Sequence, residues 1–96
     1  MKTASTIRQK IAERFSPVHL DIIDESHLHK GHAGYQEGGE THFRLLIVAS
    51  AFEGLSRLQR QRAVNECLAE ELQSGIHALA MKTRTPAEQQ KAEADG

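Results

Sequence analysis

Histidines are the residues in this sequence that are best suited to chemistry. Four of the six histidines lie between Asp24 and His42, in a glycine-rich segment short of apolar side chains, and His77 lies far along the chain in the context IHALA. A neutral imidazole is a good ligand for iron, zinc or copper, and histidines from separate segments can bind one metal centre. The pattern therefore allows metal ligation. From the residues alone, however, solvated, packed or hydrogen-bonded histidines are the more common interpretation, with the two evenly balanced at His32.

The single cysteine, Cys67, limits what the chain can bind by itself. One cysteine excludes an intrachain disulfide and also a four-cysteine metal or cluster site. Because Cys67 lies between Val64 and Leu68 on the apolar stripe of a predicted helix, we expect an inert core thiol. The sequence shows no nucleophile with an adjacent base, no phosphate-binding loop and no paired-carboxylate motif, so we predict that the protein is not an enzyme.

Composition places further limits on fold and partners. The chain has 96 residues, of which 39% are hydrophobic, which predicts one small domain with a modest core. A formal net charge of -1 provides no overall positive field for nucleic acids or anionic membranes. The sequence contains no apolar run of about 20 residues and no secretory signal. We therefore expect a soluble, cytoplasmic protein that does not contact membranes and is monomeric by itself.

Apolar periodicity predicts the elements in the first half of the chain. Ala4, Ile7, Ile11 and Phe15 share one helical face, and Pro17 ends that helix. Alternating apolar residues predict two strands, over VHLDII and THFRLLIVASAF, and the long glycine-rich connection between them favours an antiparallel pair. The residues predicted to face the core from these strands are Val18, Leu20, Ile22, Phe43, Leu45, Ile47 and Ala49.

The second half of the chain predicts a helix and a further strand. Ser56 and Gln59 have the spacing of a capping box at a helix start, and Gly75 is expected to end the helix in a left-handed conformation. IHALAMKTRT then predicts a third strand before Pro86. These elements form an α+β fold of order α-β-β-α-(α)-β, with helices on one face of a three-stranded sheet. We assign one domain to residues 1–86 and a polar, disordered tail to residues 87–96.

Three blocks of the sequence resemble successive parts of the BolA family. They are ESHLHKGHAG, GGETHFRLLIVASAFEGLSRLQRQRAVNECLAEEL and GIHALAMKTRTP, and the resemblance spans nearly the whole chain from Ile7 to Pro86. It implies a fold related to the class II KH domain. It also implies a partnership with monothiol glutaredoxins of the CGFS type, with which BolA proteins share a 2Fe-2S cluster.

The resemblance also implies which residues are cluster ligands. His77 of IHALA matches the family's histidine at the start of the last strand, and His32 of HKGHAG matches the ligand in the loop between the first two strands. His27 and His29 remain alternatives for the loop position. Two histidines without an accessible thiol do not complete a cluster site. We therefore expect no stable cluster in the isolated chain, and a heterodimer in which glutaredoxin and glutathione supply the remaining ligands.

A group of arginines suggests a different function. Arg57, Arg60 and Arg62 lie in the first two turns of the predicted helix, where the helix dipole disfavours cations and favours a bound anion. That anion could be a nucleic-acid phosphate, a glutathione carboxylate or an acidic side chain of a partner, and a solvated basic face is the alternative. A KH domain carries a GXXG loop here, whereas this chain reads GLSR, which argues against KH-type RNA binding.

Some BolA proteins are described as transcriptional regulators. DNA binding through a surface like that of a KH or helix-turn-helix domain is therefore the alternative function that the sequence suggests.

Overall fold

The computed structural model describes residues 3–25, 42–76 and 78–95. A short 3-10 turn, Ser50–Phe52, follows the second strand. In chain order the helices and strands are α1 (Thr3–Phe15), β1 (His19–Asp24), β2 (His42–Val48), α2 (Arg57–Cys67), α3 (Ala69–Ser74), β3 (Ala78–Arg84) and α4 (Pro86–Asp95).

The three strands form one mixed sheet in the order β1-β2-β3. β1 is antiparallel to β2, as predicted, with Ile22 opposite Leu45. β3 is parallel to β2 and places Met81 opposite the same Leu45, because the connection through α2 and α3 returns the chain to the end at which β2 begins. The predicted α+β class with a three-stranded sheet is confirmed.

The core lies between one face of this sheet and the helices. The alternation predicted for β2 is confirmed except at its end. The core-facing side chains are all buried, but Val48 on the opposite face is buried as well. The predicted face of α1 is also confirmed, and the rings of Phe15 and Phe52 pack with centroids 5.1 Å apart. None of the helices in the described part of the chain has the length and apolar character needed to cross a bilayer. The buried core residues are Ile7, Ile11, Phe15, Phe43, Leu45, Ile47, Ala49, Phe52, Val64, Leu68 and Ile76.

One prediction for β1 is wrong. Leu20 and Ile22 pack against the core, but Val18 is 70% exposed. The strand begins only at His19, after a turn in which Ser16 adopts a positive φ of 47°, so Val18 precedes the core-facing part of the strand. Its backbone nevertheless extends the pairing, because the Val18 N–H donates to the Val48 carbonyl over 2.8 Å.

The predicted capping box begins α2. The Gln59 N–H donates to Ser56 Oγ over 3.1 Å, and the Ser56 N–H donates to Gln59 Oε1 over 2.8 Å. The long helix is interrupted at Leu68, which separates α2 from α3. The predicted left-handed helix end at Gly75 is wrong, since its φ is −159°, whereas Gly54 adopts a φ of 80° in the turn before α2.

The prediction of a disordered tail is wrong for residues 87–95, which belong to α4. Thr85 and Glu88 form a second capping box, in which the Glu88 N–H donates to Thr85 Oγ1 over 3.2 Å and the Thr85 N–H donates to Glu88 Oε1 over 2.8 Å. Pro86 occupies the first helical position, where its missing N–H costs no hydrogen bond. The sequence TPAE therefore carried a helix-start signal that the polar composition obscured.

Candidate functional site

The ligands expected from the sequence lie outside the described residues. These are His32 and His77, together with His27 and His29 as alternatives for the loop position. Their roles stay predictions. The residues that flank them along the chain are described, however, and show how the sheet connects the two ligand-bearing segments.

Both segments are attached to the same end of the sheet, which we call the histidine end and define by Glu25, His42 and Ala78. β1 finishes at this end, while β2 and β3 begin there. The Glu25 N–H donates to the His42 carbonyl over 2.8 Å, and His42 lies opposite Ala78 in the parallel register. The segment 26–41 thus leaves and rejoins the fold at neighbouring residues, and Ala78 directly follows His77 in the chain.

The other described histidine lies elsewhere. His19 begins β1, so it is at the opposite end of the sheet, where its Nε2 lies 2.9 Å from Asp21 Oδ2. At the histidine end, the Nε of Arg44 lies 3.2 Å from Glu25 Oε2 in a partly exposed ion pair. Within the residues that the structure describes, no three His, Cys, Asp or Glu side chains are grouped so that they could hold a metal ion. A complete metal site therefore does not arise from the described part of the chain alone.

Cys67 is arranged as an inert thiol. Its side chain is partly buried against the core, and Sγ donates to the Lys10 carbonyl over 3.4 Å. Burial raises the pKa of the thiol, which keeps it protonated at neutral pH. Because the thiolate is the form that binds metals and attacks electrophiles, burial makes Cys67 a poorer ligand and nucleophile than an exposed cysteine.

Arg60 differs from the two arginines with which it was grouped. Its side chain is buried, and its guanidinium binds both oxygens of Glu88, with Nη1–Oε1 at 2.6 Å and Nη2–Oε2 at 3.2 Å. It also donates from Nε to the Leu55 carbonyl over 3.0 Å and from Nη1 to the Thr83 carbonyl over 3.1 Å. We call this cluster the arginine end of the sheet and define it by Leu55, Arg60, Thr83, Thr85 and Glu88.

The Arg60 guanidinium strongly favours the charged form of Glu88. Its hydrogen bonds, with help from the Thr85 N–H, lower the pKa of the Glu88 carboxyl to about 2. The sequence predicted that the start of α2 attracts an anion. At Arg60 this anion is the Glu88 carboxylate of the same chain. Glu88 lies 28 residues beyond Arg60 in the sequence, so the two side chains are brought together only by the fold.

Arg57 and Arg62 are exposed on α2, and neither forms an ion pair with another described residue. The three arginines therefore do not form one anion-binding surface, because Arg60 is engaged in the interior. An external anion at the start of α2 would therefore contact Arg57 or Arg62 but not Arg60.

Comparison with known proteins agrees with the resemblance seen in the sequence. The family model described as BolA-like protein matches residues 11–88. The chain is 47% identical over 89 residues to an uncharacterized protein in the cobS 5' region of Sinorhizobium sp, covering 92% of this chain and 96% of that protein. It is 51% identical over 84 residues to human BolA-like protein 1, covering 88% of this chain and 58% of the human protein. The chain thus spans little more than half of the human relative.

Solved structures show the same fold. BolA1 from Arabidopsis thaliana superimposes with a TM-score of 0.82 at 42% identity, with 92% of this chain and 96% of that chain covered. The BolA domain of SufE1 from the same plant gives a TM-score of 0.79 at 44% identity, with 88% and 93% covered. With the family model matching most of the sequence and related structures sharing its architecture, this chain belongs to the BolA family.

Proposed function

We propose that this BolA family chain is a non-enzymatic partner of a monothiol CGFS glutaredoxin, with which it co-ligates a shared 2Fe-2S cluster through His32 and His77. Its role would lie in iron-sulfur cluster trafficking or iron homeostasis. The observation that carries the proposal is the strand arrangement. Glu25, His42 and Ala78 are neighbours at the histidine end, so the two segments that bear the proposed ligands are attached to the fold side by side.

The ligand supply supports a shared cluster over one held by this chain alone. Iron-sulfur clusters are held mainly by thiolates, and histidine replaces some of them in a minority of sites. The only cysteine here is a partly buried thiol with a raised pKa that donates to Lys10. The thiolates must therefore come from the glutaredoxin and from glutathione, while imidazoles from this chain provide nitrogen ligands.

The proposal is tested by reconstitution. The purified chain is mixed with a CGFS glutaredoxin, iron, sulfide and glutathione, and absorption and circular dichroism are recorded and compared with those of the glutaredoxin alone. We expect no stable cluster in the isolated chain and a distinct spectrum for the mixture. His32→Ala and His77→Ala should each change that spectrum, because each removes one nitrogen ligand and lets the cluster revert to the glutaredoxin.

Matched variants distinguish the proposed ligands from other residues. His27→Ala should leave the spectrum unchanged, and His29→Ala should have at most a small effect. His19→Ala, at the opposite end of β1, and Cys67→Ala should have no effect. A stoichiometric cluster in the isolated chain would disprove the shared site. An effect of His27→Ala or His29→Ala without one of His32→Ala would instead move the loop ligand and leave the partnership intact.

DNA binding is tested in parallel. With Arg60 engaged by Glu88, the described basic surface of α2 offers Arg57 and Arg62, from which we expect only weak, nonspecific DNA binding that falls steeply with salt. Nanomolar, sequence-selective affinity near physiological salt, lost on replacing Arg57 and Arg62 with alanine, would favour the gene-regulatory function instead.

A further inference from the structure

β3 forms one edge of the sheet, and alternate residues of this strand direct their backbone groups away from β2. The Arg84 carbonyl accepts from the Ala49 N–H over 2.9 Å, so the backbone groups of Arg84 are directed towards the end of β2. The Thr83 carbonyl instead accepts from Arg60 at the free edge. Because this orientation alternates along a strand, Leu79 and Met81 also direct their N–H and C=O groups outward. Within the described residues, no hydrogen bond from outside the sheet reaches them.

A cleft of about 880 Å³ follows this edge. Its lining includes every residue from Leu79 to Arg84, although these side chains alternate between the core and the opposite face of the sheet. A cavity can touch both sets only by running along the edge of the strand. The start of α2 provides the other wall through Leu55, Arg57 and Gln61, so the cleft lies between a helix and an unpaired strand edge.

The cleft is cationic. Arg57, Lys82 and Arg84 form its cationic rim, and among the described lining residues the carboxylate is that of Glu88, which is already bound by Arg60. Such a rim attracts acidic side chains. It also disfavours edge-to-edge pairing of two copies of this chain, because the same cations would then meet, and a lysine on an edge strand is a common means of preventing such pairing.

We propose that this cleft binds an extended acidic segment of a partner protein, which adds to β3 as a fourth strand. The outward N–H and C=O groups of Leu79 and Met81 would pair with the segment's backbone, and the cationic rim would contact its carboxylates. Arg60 already donates to the Thr83 carbonyl, so the added strand would pair with β3 only before that residue. The proposal involves neither His32 nor His77 and is independent of the cluster function.

The test uses the isotopically labelled full chain and a short peptide of alternating valine and glutamate, followed by nuclear magnetic resonance. Binding should shift the amide resonances of Leu79 and Met81 and protect both protons from exchange with solvent. A peptide with lysine in place of glutamate should not bind. N-methylation of the peptide amides that face β3 should abolish binding, whereas methylation of the alternate amides should not, because only one set pairs with the edge.

Charge reversal provides the matched variants. Arg57→Glu combined with Lys82→Glu should weaken peptide binding about tenfold or more, since it reverses two exposed cations of the rim. Arg8→Glu combined with Lys91→Glu makes the same change of charge on exposed residues that do not line the cleft, and should leave binding unchanged.

Three results would overturn the proposal. The first is peptide binding without protection of Leu79 and Met81. The second is displacement of the peptide by a single-stranded oligonucleotide that binds more tightly at the same residues, which would identify a nucleic-acid groove. The third is protection of the two amides when the concentration of the chain is raised in the absence of peptide. This result would identify a second copy of the chain as the occupant.

Discussion

The two ends of the sheet use polar residues in opposite ways. At the arginine end, one buried guanidinium is bound to Glu88 and to the carbonyls of Leu55 and Thr83, so it joins α2, β3 and α4. At the histidine end, a backbone hydrogen bond joins Glu25 to His42, and the ion pair of Arg44 with Glu25 is partly exposed. The buried guanidinium at the arginine end should therefore contribute more to stability than the partly exposed Arg44–Glu25 pair at the histidine end.

The largest expected effect comes from Arg60→Ala. The substitution removes a buried partner and leaves the Glu88 carboxylate and two carbonyls without their donor. We expect a loss of about 2 kcal/mol in the free energy of unfolding, below the usual cost of breaking a buried pair because Glu88 is 49% exposed. Urea unfolding measures this loss in the free energy of unfolding.

Arg57→Ala is the matched control and should change the free energy of unfolding by less than about 0.5 kcal/mol, because its side chain is exposed. Arg60→Lys should not restore full stability, since an ammonium group cannot make the bidentate contact. Equal losses for Arg57→Ala and Arg60→Ala would contradict the distinction between the two arginines.

Ser56→Ala should have the next largest effect. It removes the side-chain acceptor from the capping box that begins α2 beside the arginine end, and we expect a loss of about 1 kcal/mol in urea unfolding. Ser74→Ala is the control, because that exposed hydroxyl only donates to the Glu70 carbonyl in the preceding turn. A similar loss in both variants would show that the capping box contributes nothing particular.

The arginine end should also make stability depend on pH. The pKa of Glu88 is about 2 in the folded chain and ordinarily about 4.5, so its contribution is complete above about pH 5 and is lost as the pH falls towards 2. Because the carboxylate is half exposed, we expect less than about 1 kcal/mol. Comparing urea unfolding near pH 6 and pH 3 should show a smaller loss for Glu88→Gln than for the unmodified chain, and an equal loss would argue against the shift.

The smallest effect is expected at the histidine end. Arg44→Ala removes a partly exposed ion pair, which should cost about 0.3 kcal/mol and less at high salt. A double-mutant cycle with Glu25→Ala isolates the coupling between the two side chains. A coupling of about 1 kcal/mol or more, which residues in contact can reach, would mean that both ends are stabilised by ion pairs and that the comparison fails.

Local patterns allowed much of the fold to be predicted. The alternation of β2, the helical face of α1 and the capping box at Ser56 all depend on residues close together in sequence. The contact of Arg60 with Glu88 could not be predicted in that way, because it requires α2, β3 and α4 to be packed first. The candidate ligands were indicated only by histidine content and family resemblance, and His32 and His77 lie outside the described residues.

Glu88 has a consequence for how the chain unfolds. A free helix of ten residues such as α4 is marginal in water, and its first turn here depends on a carboxylate that Arg60 also binds. If the first turn of α4 unwinds, the Glu88 carboxylate also loses its contact with Arg60 on α2. We therefore expect helix α4 to melt as part of the cooperative unit that contains α2 and β3, instead of fraying independently. The stability of the core then extends into a segment that has no large apolar side chain.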